Sequence, residues 1–332
     1  MKVIIPLAGY GKRMRPLTWS RPKPLLSVAG HTVLGHLLDM MADITTDEVI
    51  FVVGYKGDEI EAWIKEYYPD LVSRFVLQPE ALGQAHAIWQ CRDYLDDSEV
   101  LIAFGDGVVE ADYMSINHTD ADAVCLVQEV DDPRKFGVVA VDDDGYVTEF
   151  IEKPDNMAHK LAIAGIYWFR NGRLLRQALE KVITDNRQTN GEFYLADAYQ
   201  ILLAQGVRIA TKPVTLWLDA GNPENVLETN ARLLSLGYAS EDAIERSYAE
   251  DFTVLPPVFI HESAVVEAAV VGPYVNIEAG AVVRQAIIRN SIIEAGACVE
   301  NCVLENAIVG RRAVVRGRFQ SCFISDDSTV EW

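Results

Sequence analysis

The stretch Ile277-Glu278-Ala279-Gly280-Ala281 returns as Ile293-Glu294-Ala295-Gly296-Ala297 and, with substitutions, as Val309-Gly310-Arg311-Arg312-Ala313, each time sixteen residues on. The same shift superposes Val283, Val299 and Val315, then Ile287, Val303 and Phe319, then Ile292, Ile308 and Ile324. An aliphatic residue at three fixed positions per repeat predicts a triangular parallel β-helix, in which each coil buries the inner face of the next. Ile260 and Val266 extend the pattern back by one looser coil. Working outward, residues 254–332 read as the β-helix, the polar segment 237–253 as a connector with helical character, and 1–236 as a separate domain. Val265, Val270 and Val271 fall just outside the strict columns and are candidates for contact between copies, because end coils and flat apolar walls need covering. A homo-oligomer is therefore expected, with residues 1–236 able to keep a core, and triphosphate binding, of their own.

Residues 1–236 carry a different period. An apolar run over 2–8 ends in Gly9-Tyr10-Gly11, and Leu34, Leu37, Leu38 and Met41 then follow at helical spacing. Strands over 48–53, 74–78 and 99–104 alternate with helices near 57–67 and 83–95. Such alternation predicts a Rossmann-like α/β domain with a mostly parallel sheet and helices on both faces. Ligands on these sheets bind beyond the carboxyl ends of the strands. The residues delivered to that edge are Gly9 to Arg13, Gly54-Tyr55, Gln78 and Gly105-Asp106.

Composition narrows the function classes. The chain has 332 residues, half of them hydrophobic, and no apolar run approaches the length of a membrane span. No signal-peptide pattern opens it, and a cytoplasmic protein without membrane partners is expected. The five cysteines are odd in number and scattered at 91, 125, 298, 302 and 322, which suggests neither a disulfide framework nor a zinc site. A net charge of −20 argues against nucleic acid as a partner. Yet residues 1–38 contain no Asp or Glu, while Lys12, Arg13, Arg15, Arg21 and Lys23 are all cationic. In so acidic a chain this cluster points to a compact polyanion.

The loop matches neither of the familiar phosphate motifs. A Walker loop needs Gly at position 6, which is Pro, and a dinucleotide fingerprint needs a third small residue after Gly9 and Gly11. What stands here is Gly9-x-Gly11-x-Arg13-x-x-Pro16-Leu17-Thr18 followed by Pro22-Lys23-Pro24-Leu25-Leu26. Two glycines let backbone N–H groups approach phosphate oxygens, Arg13 offers a bidentate fork, and Lys23 adds a point charge. Asp106, at the end of a buried strand, sets a carboxylate at the sheet edge, where an oxygen ligand suits a hard divalent cation. His86, on the helix after Gly83, reads as a packing or hydrogen-bonding residue.

With these motifs in order, the sequence resembles the sugar-phosphate nucleotidylyltransferases, above all the glucose-1-phosphate thymidylyl- and uridylyltransferases with a C-terminal left-handed β-helix. The resemblance covers almost the whole chain. It implies that Leu7, Ala8, Gly9, Gly11, Lys12 and Arg13 bind the nucleoside triphosphate, with Arg13 and Lys23 assisting transfer. Gln78-Pro79-Glu80-Ala81-Leu82-Gly83-Gln84 resembles the base-reading segment. Phe136-Gly137-Val138-Val139, Glu152-Lys153-Pro154, Ala164-Gly165-Ile166-Tyr167 and Gly191-Glu192-Phe193-Tyr194 resemble the sugar-phosphate side, and Trp217-Leu218-Asp219-Ala220-Gly221 resembles the segment with the second metal carboxylate, so Gly137, Glu152, Lys153, Gly165 and Trp217 are expected around the second substrate. Asp106 and Asp219 become the ligands of a Mg²⁺ cofactor. Position 12 is Lys where the family has Thr or Ser, which adds a cation, and position 84 is Gln where Thr is commoner, which changes the donor and acceptor pattern near the base.

The expected reaction joins a nucleoside triphosphate to a sugar 1-phosphate and releases pyrophosphate. Gln78 can donate and accept, so dTTP or UTP is expected over GTP, with glucose 1-phosphate as acceptor. The rivals are a GTP-dependent mannose-1-phosphate guanylyltransferase, a non-catalytic regulatory subunit of the same fold, and a bifunctional protein whose β-helix transfers acyl groups.

Overall fold

A computed structural model describes residues 1–188, 191–240, 242–249, 251–317 and 322–331. Two compact units form, one from Met1–Tyr10 with Leu37–Trp217, the other from Gly11–His36 with Leu218–Trp332. The boundaries read from sequence follow the chain, at 236 and 253. Compaction crosses the chain instead: most of the basic loop belongs with the C-terminal coils.

The first unit is built on one nine-stranded sheet. Its strands are β1 (Lys2–Pro6), β2 (Glu48–Val53), β3 (Ser73–Leu77), β4 (Val100–Ala103), β5 (Ala123–Glu129), β6 (Gly137–Val141), β7 (Val147–Glu152), β8 (Leu161–Phe169) and β9 (Ile209–Pro213). The order is β7-β6-β8-β4-β1-β2-β3, with β5 joining β8 to β9. Strands β1 to β4 pair in parallel, as expected from the alternation. Beyond them the sheet is mixed, since β8 runs antiparallel to β4, β5 and β6. Short connections such as the β6–β7 hairpin permit only antiparallel pairing, whereas parallel pairs need long crossovers.

Continuous apolar runs mark the sheet centre. Val3, Ile4 and Ile5 of β1 and Ile50, Phe51 and Val52 of β2 are all buried, the signature of strands covered on both faces. The helices Gly57–Tyr67, Gln84–Gln90, Gly172–Thr184 and Leu195–Ala204 supply that cover. The helix expected over 83–95 stops at Gln90, where Cys91 N–H bonds Ile88 O and tightens the chain into a 3₁₀ turn at Arg92–Tyr94.

The second unit contains the left-handed β-helix. Three parallel sheets form its walls. One stacks Phe252–Val254, Ala269–Val271, Ile287–Arg289 and Val303–Glu305; the next Val258–Ile260, Val275–Ile277, Ser291–Ile293, Ile308–Val309 and Phe323–Ile324; the third Val265–Glu267, Val282–Arg284, Cys298–Glu300, Val314–Arg316 and Thr329–Glu331. Val283, Val299 and Val315 stack as the repeat predicts, as do Ile277, Ile293 and Val309. The glycine of each Ile-Glu-Ala-Gly-Ala stretch turns a corner with φ of 65° at Gly280 and 68° at Gly296, and Arg312 takes the same left-handed corner in the third repeat.

Three expectations need correction. Ile287 and Val303 align as predicted but face outward, and Ile288 and Leu304 beside them fill the core, because alternation along a three-residue strand leaves one inward position. The last coil is one residue shorter, so Val309 rather than Ile308 stacks on Ile324. Phe319 lies outside the described residues. Of the three valines assigned to the outer surface, Val265 is exposed and Val270 partly so, whereas Val271 is fully buried in the core. The connector holds the expected helix, at Ala243–Ala249.

Candidate functional site

In the first unit, β1 leads into Leu7 and Ala8, both buried, with Leu7 N–H bonded to Val52 O at 2.7 Å. Gly9 follows in open space: a Cβ there would meet nothing within 4 Å. Packing therefore does not demand this glycine. Its bare backbone suits the close approach of a ligand.

The segment after β3 is fixed more tightly. Gln78 is buried, and its Nε2 donates to Gly83 O at 3.1 Å and to His86 Nδ1 at 3.0 Å. Burial lowers the His86 pKa, which keeps the imidazole neutral and able to accept that bond. Both amide protons of Gln78 are thus engaged within the protein, and the carboxamide oxygen is the group left to offer a base. His86 is the residue the sequence reading undervalued, since a histidine on a helix carries no signal of which neighbour it will orient.

Gly83 holds this segment against the backbone of Phe193. Leu82 O accepts from Phe193 N–H at 2.8 Å and Phe193 O from Ala85 N–H at 3.1 Å. With φ at 102° and a hypothetical Cβ 2.5 Å from Phe193 O, no other residue fits. Gln84 begins the helix and is exposed.

The residues expected around the sugar phosphate also fall in this unit. Gly137 and Glu152 are register partners at the open end of the β6–β7 hairpin. Lys153 follows with φ at 44°, its N–H bonded to Phe136 O, and its ammonium lies 3.7 Å from the Glu152 carboxylate. Both side chains are largely exposed. The Phe136 and Trp217 rings pack 5.1 Å apart. Gly165 lies within the irregularity of β8 between Ile163 and Tyr167, where its carbonyl accepts from Phe104 N–H at 3.0 Å. Asp106, exposed, follows β4 by way of Phe104 and Gly105.

In the second unit, Gly11 has φ of 59° and introduces a short 3₁₀ turn at Lys12–Met14. Met14 is completely buried and pins the turn, while Lys12 and Arg13, the two residues before it, are exposed. Thr18, buried, donates to Gly11 O at 2.8 Å, and the Lys23 Cβ lies 3.3 Å from where a Gly11 Cβ would stand. Gly11, Thr18 and Lys23 are therefore neighbours. Thr18 went unassigned by sequence because its hydroxyl serves the loop rather than a ligand. Arg21, counted among the cations for a polyanion, turns instead to the carboxylate of Glu294.

Asp219 lies in the second unit, its side chain accepting from Asn225 Nδ2 and its carbonyl from Thr229 Oγ1 at 2.9 Å. Asn225 stands in the first turn of the helix Pro223–Leu233, capped by Asn222. Among the described residues no group of three or more His, Cys, Asp or Glu side chains could hold a metal ion. A cation bound by only two carboxylates must complete its shell from phosphate oxygens and water, which is the habit of Mg²⁺. Nor, among the described residues, is any helix long and apolar enough to cross a membrane.

Residues 2–235 match the nucleotidyl transferase family. The chain belongs to that family. This nucleotidyl transferase is 32% identical over 240 residues to the UTP–glucose-1-phosphate uridylyltransferase AglF of Haloferax volcanii, covering 70% of the chain and 96% of that relative. It is 29% identical to a glucose-1-phosphate thymidylyltransferase of Streptomyces griseus, over 88% of the chain and 87% of the relative. The bifunctional protein GlmU of Methanocaldococcus jannaschii is 33% identical over 80% of the chain, which spans 61% of that longer protein. A solved structure from Bacillus anthracis, provisionally assigned as a glucose-1-phosphate thymidylyltransferase, shares the fold with a TM-score of 0.60 at 24% identity, over 70% of this chain and 94% of that one.

Proposed function

We propose that this nucleotidyl transferase joins a nucleoside triphosphate, dTTP or UTP by preference, to glucose 1-phosphate. The observation that carries the reading is the Glu152–Lys153 pair. A left-handed backbone at Lys153 ends the hairpin and presents an ammonium beside a carboxylate, one suited to a phosphate and the other to sugar hydroxyls. A phosphate oxygen of the sugar phosphate forms a bond to the α-phosphorus as the bond from that phosphorus to the β-phosphate oxygen breaks, and pyrophosphate carries away the electron pair. Arg13 and the loop amides stabilise the charge on the departing pyrophosphate, and Lys23 and Lys153 hold the two anions. Mg²⁺, for which Asp106 and Asp219 are the ligands we propose, supplies charge neutralisation at the phosphates.

The base preference rests on Gln78. An acceptor oxygen complements the N3–H of uracil or thymine and opposes the N3 lone pair of cytosine, so CTP should be the poorest pyrimidine substrate. The test is pyrophosphate release across a matrix of five nucleoside triphosphates and several sugar 1-phosphates. Release with dTTP or UTP and glucose 1-phosphate is expected; a preference for GTP with mannose 1-phosphate would overturn the specificity, and no release in any combination would overturn the enzyme. Asp106→Asn and Asp219→Asn should each lower the rate at saturating Mg²⁺ by about 100-fold or more while leaving the melting midpoint in place. Near-normal rates in both variants would remove the metal assignment.

A further inference from the structure

The repeat that defines the β-helix carries a residue its packing does not need. In Ile-Glu-Ala-Gly-Ala the aliphatic residue fills the core, the glycine turns the corner, and the second alanine is buried, but the glutamate is a charged side chain in an apolar coil. Glu294 is 3% exposed and Glu278 stands one coil earlier in the same column. A carboxylate so placed is costly unless paired and hydrogen-bonded.

Its partners come from the phosphate loop, within the same unit. The Arg21 guanidinium donates to Glu294 Oε2, the Ser27 hydroxyl donates to the same oxygen at 3.1 Å, and the Ser27 N–H donates to Oε1 at 3.2 Å. Glu278 accepts from Asn276 Nδ2 at 2.8 Å, and the Asn276 carbonyl oxygen accepts from Gly30 N–H at 2.9 Å. One residue before Gly30, Ala29 N–H reaches Asn230 Oδ1 at 2.9 Å, and Asn230 Nδ2 donates to Tyr274 O. Gly30 lies against the Phe259 ring so closely that a Cβ would come within 2.3 Å. Arg21, Ser27, Ala29 and Gly30 are thereby fastened in succession to one wall of the β-helix. Lys23 lies between the first two.

We propose that this wall is part of the triphosphate-binding machinery, with Glu294 as a positioning residue that sets the loop carrying Arg13 and Lys23. The inference rests on the proposed reaction for the role of those cations, and it assigns the C-terminal coils a duty besides assembly. It also reverses the expectation that residues 1–236 alone retain triphosphate binding, since such a fragment lacks the wall.

The experiment uses the full chain and three variants. Glu294→Gln keeps the shape and removes the charge that Arg21 meets; Glu294→Asp keeps the charge; Glu300→Gln, on an outer wall, is the control. The KM for dTTP or UTP should rise about tenfold or more in Glu294→Gln, with the KM for glucose 1-phosphate moving less than about twofold. Glu294→Asp should recover part of the loss, and Glu300→Gln should show none. Amide hydrogen exchange over residues 11–30 should quicken in Glu294→Gln while the inner coil strands keep their protection. If both KM values and that exchange match the unaltered chain, the positioning role is refuted. Should Glu294→Gln fail to fold, Ser27→Ala removes the hydroxyl that bonds Glu294 and Arg21 while keeping the backbone N–H, and is read by the same measurements. If the unaltered chain releases no pyrophosphate, the proposed reaction fails, and hydrogen exchange with triphosphate titration by calorimetry still decides the anchor.

Discussion

On the three middle strands of one wall, Val275–Ile277, Ser291–Ile293 and Ile308–Val309, every residue is buried, on the outer side as well as the inner. On a neighbouring wall, Ile287–Arg289 and Val303–Glu305 bury only the middle residue, and their first and third positions stand in solvent. The repeat is the same, and so is the core it fills. The difference is that the first wall is covered by the segment Ser27–Gly30 and by the helix Pro223–Leu233, and polar residues have entered it accordingly: Asn276 and Ser291 are completely buried there. A wall that must grip a loop needs hydrogen-bonding groups. The other two walls differ: one carries an outer row of Val270, Ile287 and Val303, and the other a charged row of Glu267, Arg284, Glu300 and Arg316.

Breaking the covered wall should have the largest effect. Gly30→Val forces a side chain onto the Phe259 ring at a backbone angle of φ 79°, and should destabilise the chain by more than about 3 kcal/mol. Chemical denaturation measures it; a loss under 1 kcal/mol, roughly the ordinary surface scale, would mean the loop merely drapes over the coils. The inner and outer rows of an uncovered wall are separated by adjacent residues. Ile288→Ala, inside, should cost about 2 to 4 kcal/mol, and Ile287→Ala, outside, about 0.5 or less. Equal losses would show that the outer row is covered by another copy, and light scattering of Ile287→Lys would then report dissociation of the homo-oligomer we propose.

The last effect sharpens the comparison through pH. Burial first, and then the neighbouring Glu294 carboxylate, push Glu278 up to about 7 from an ordinary 4.5, against the opposing influence of Asn276, Arg21 and Ser27. The folded chain holds this proton more tightly than the unfolded one, so the stabilisation is complete below pH 4.5 and is lost as pH rises through about 7. Glu278→Gln, which cannot ionise, should raise the melting midpoint at pH 8 by about 5 °C and leave it nearly unchanged at pH 5. A parallel displacement at both pH values would show that ionisation of Glu278 is not what limits this wall.

The sequence made some of this plain and hid the rest for physical reasons. Strands such as Glu48–Val53 and helices such as Gly57–Tyr67 are set by local periodicity, and their limits could be read directly. The coil register followed from self-similarity, but whether Ile287 or Ile288 points inward depends on the strand's phase, which two adjacent isoleucines conceal. The residues we propose for the ligand stood out by type, since glycine and arginine in an acidic chain are conspicuous. Arg21 was not separable from Arg13, because its partner, Glu294, stands 273 residues away. Gln78 stood out as a side chain at the end of a strand, yet its remaining hydrogen-bonding capacity depends on His86 and Gly83, whose roles exist only after the helix and the turn have formed.

The charged row on the outer wall restricts how such a coil can lengthen. Arg284 bonds Glu267 at 2.8 Å and Arg316 bonds Glu300 at 3.0 Å, with Arg284 also 3.6 Å from Glu300, so acid and base alternate from one coil to the next. Duplicating a single coil would set two like charges one above the other, which strands disfavour at adjacent positions. Duplicating a pair would keep every neighbour opposite in sign. Growth by even numbers is thus written into the surface, while the apolar interior is indifferent to parity.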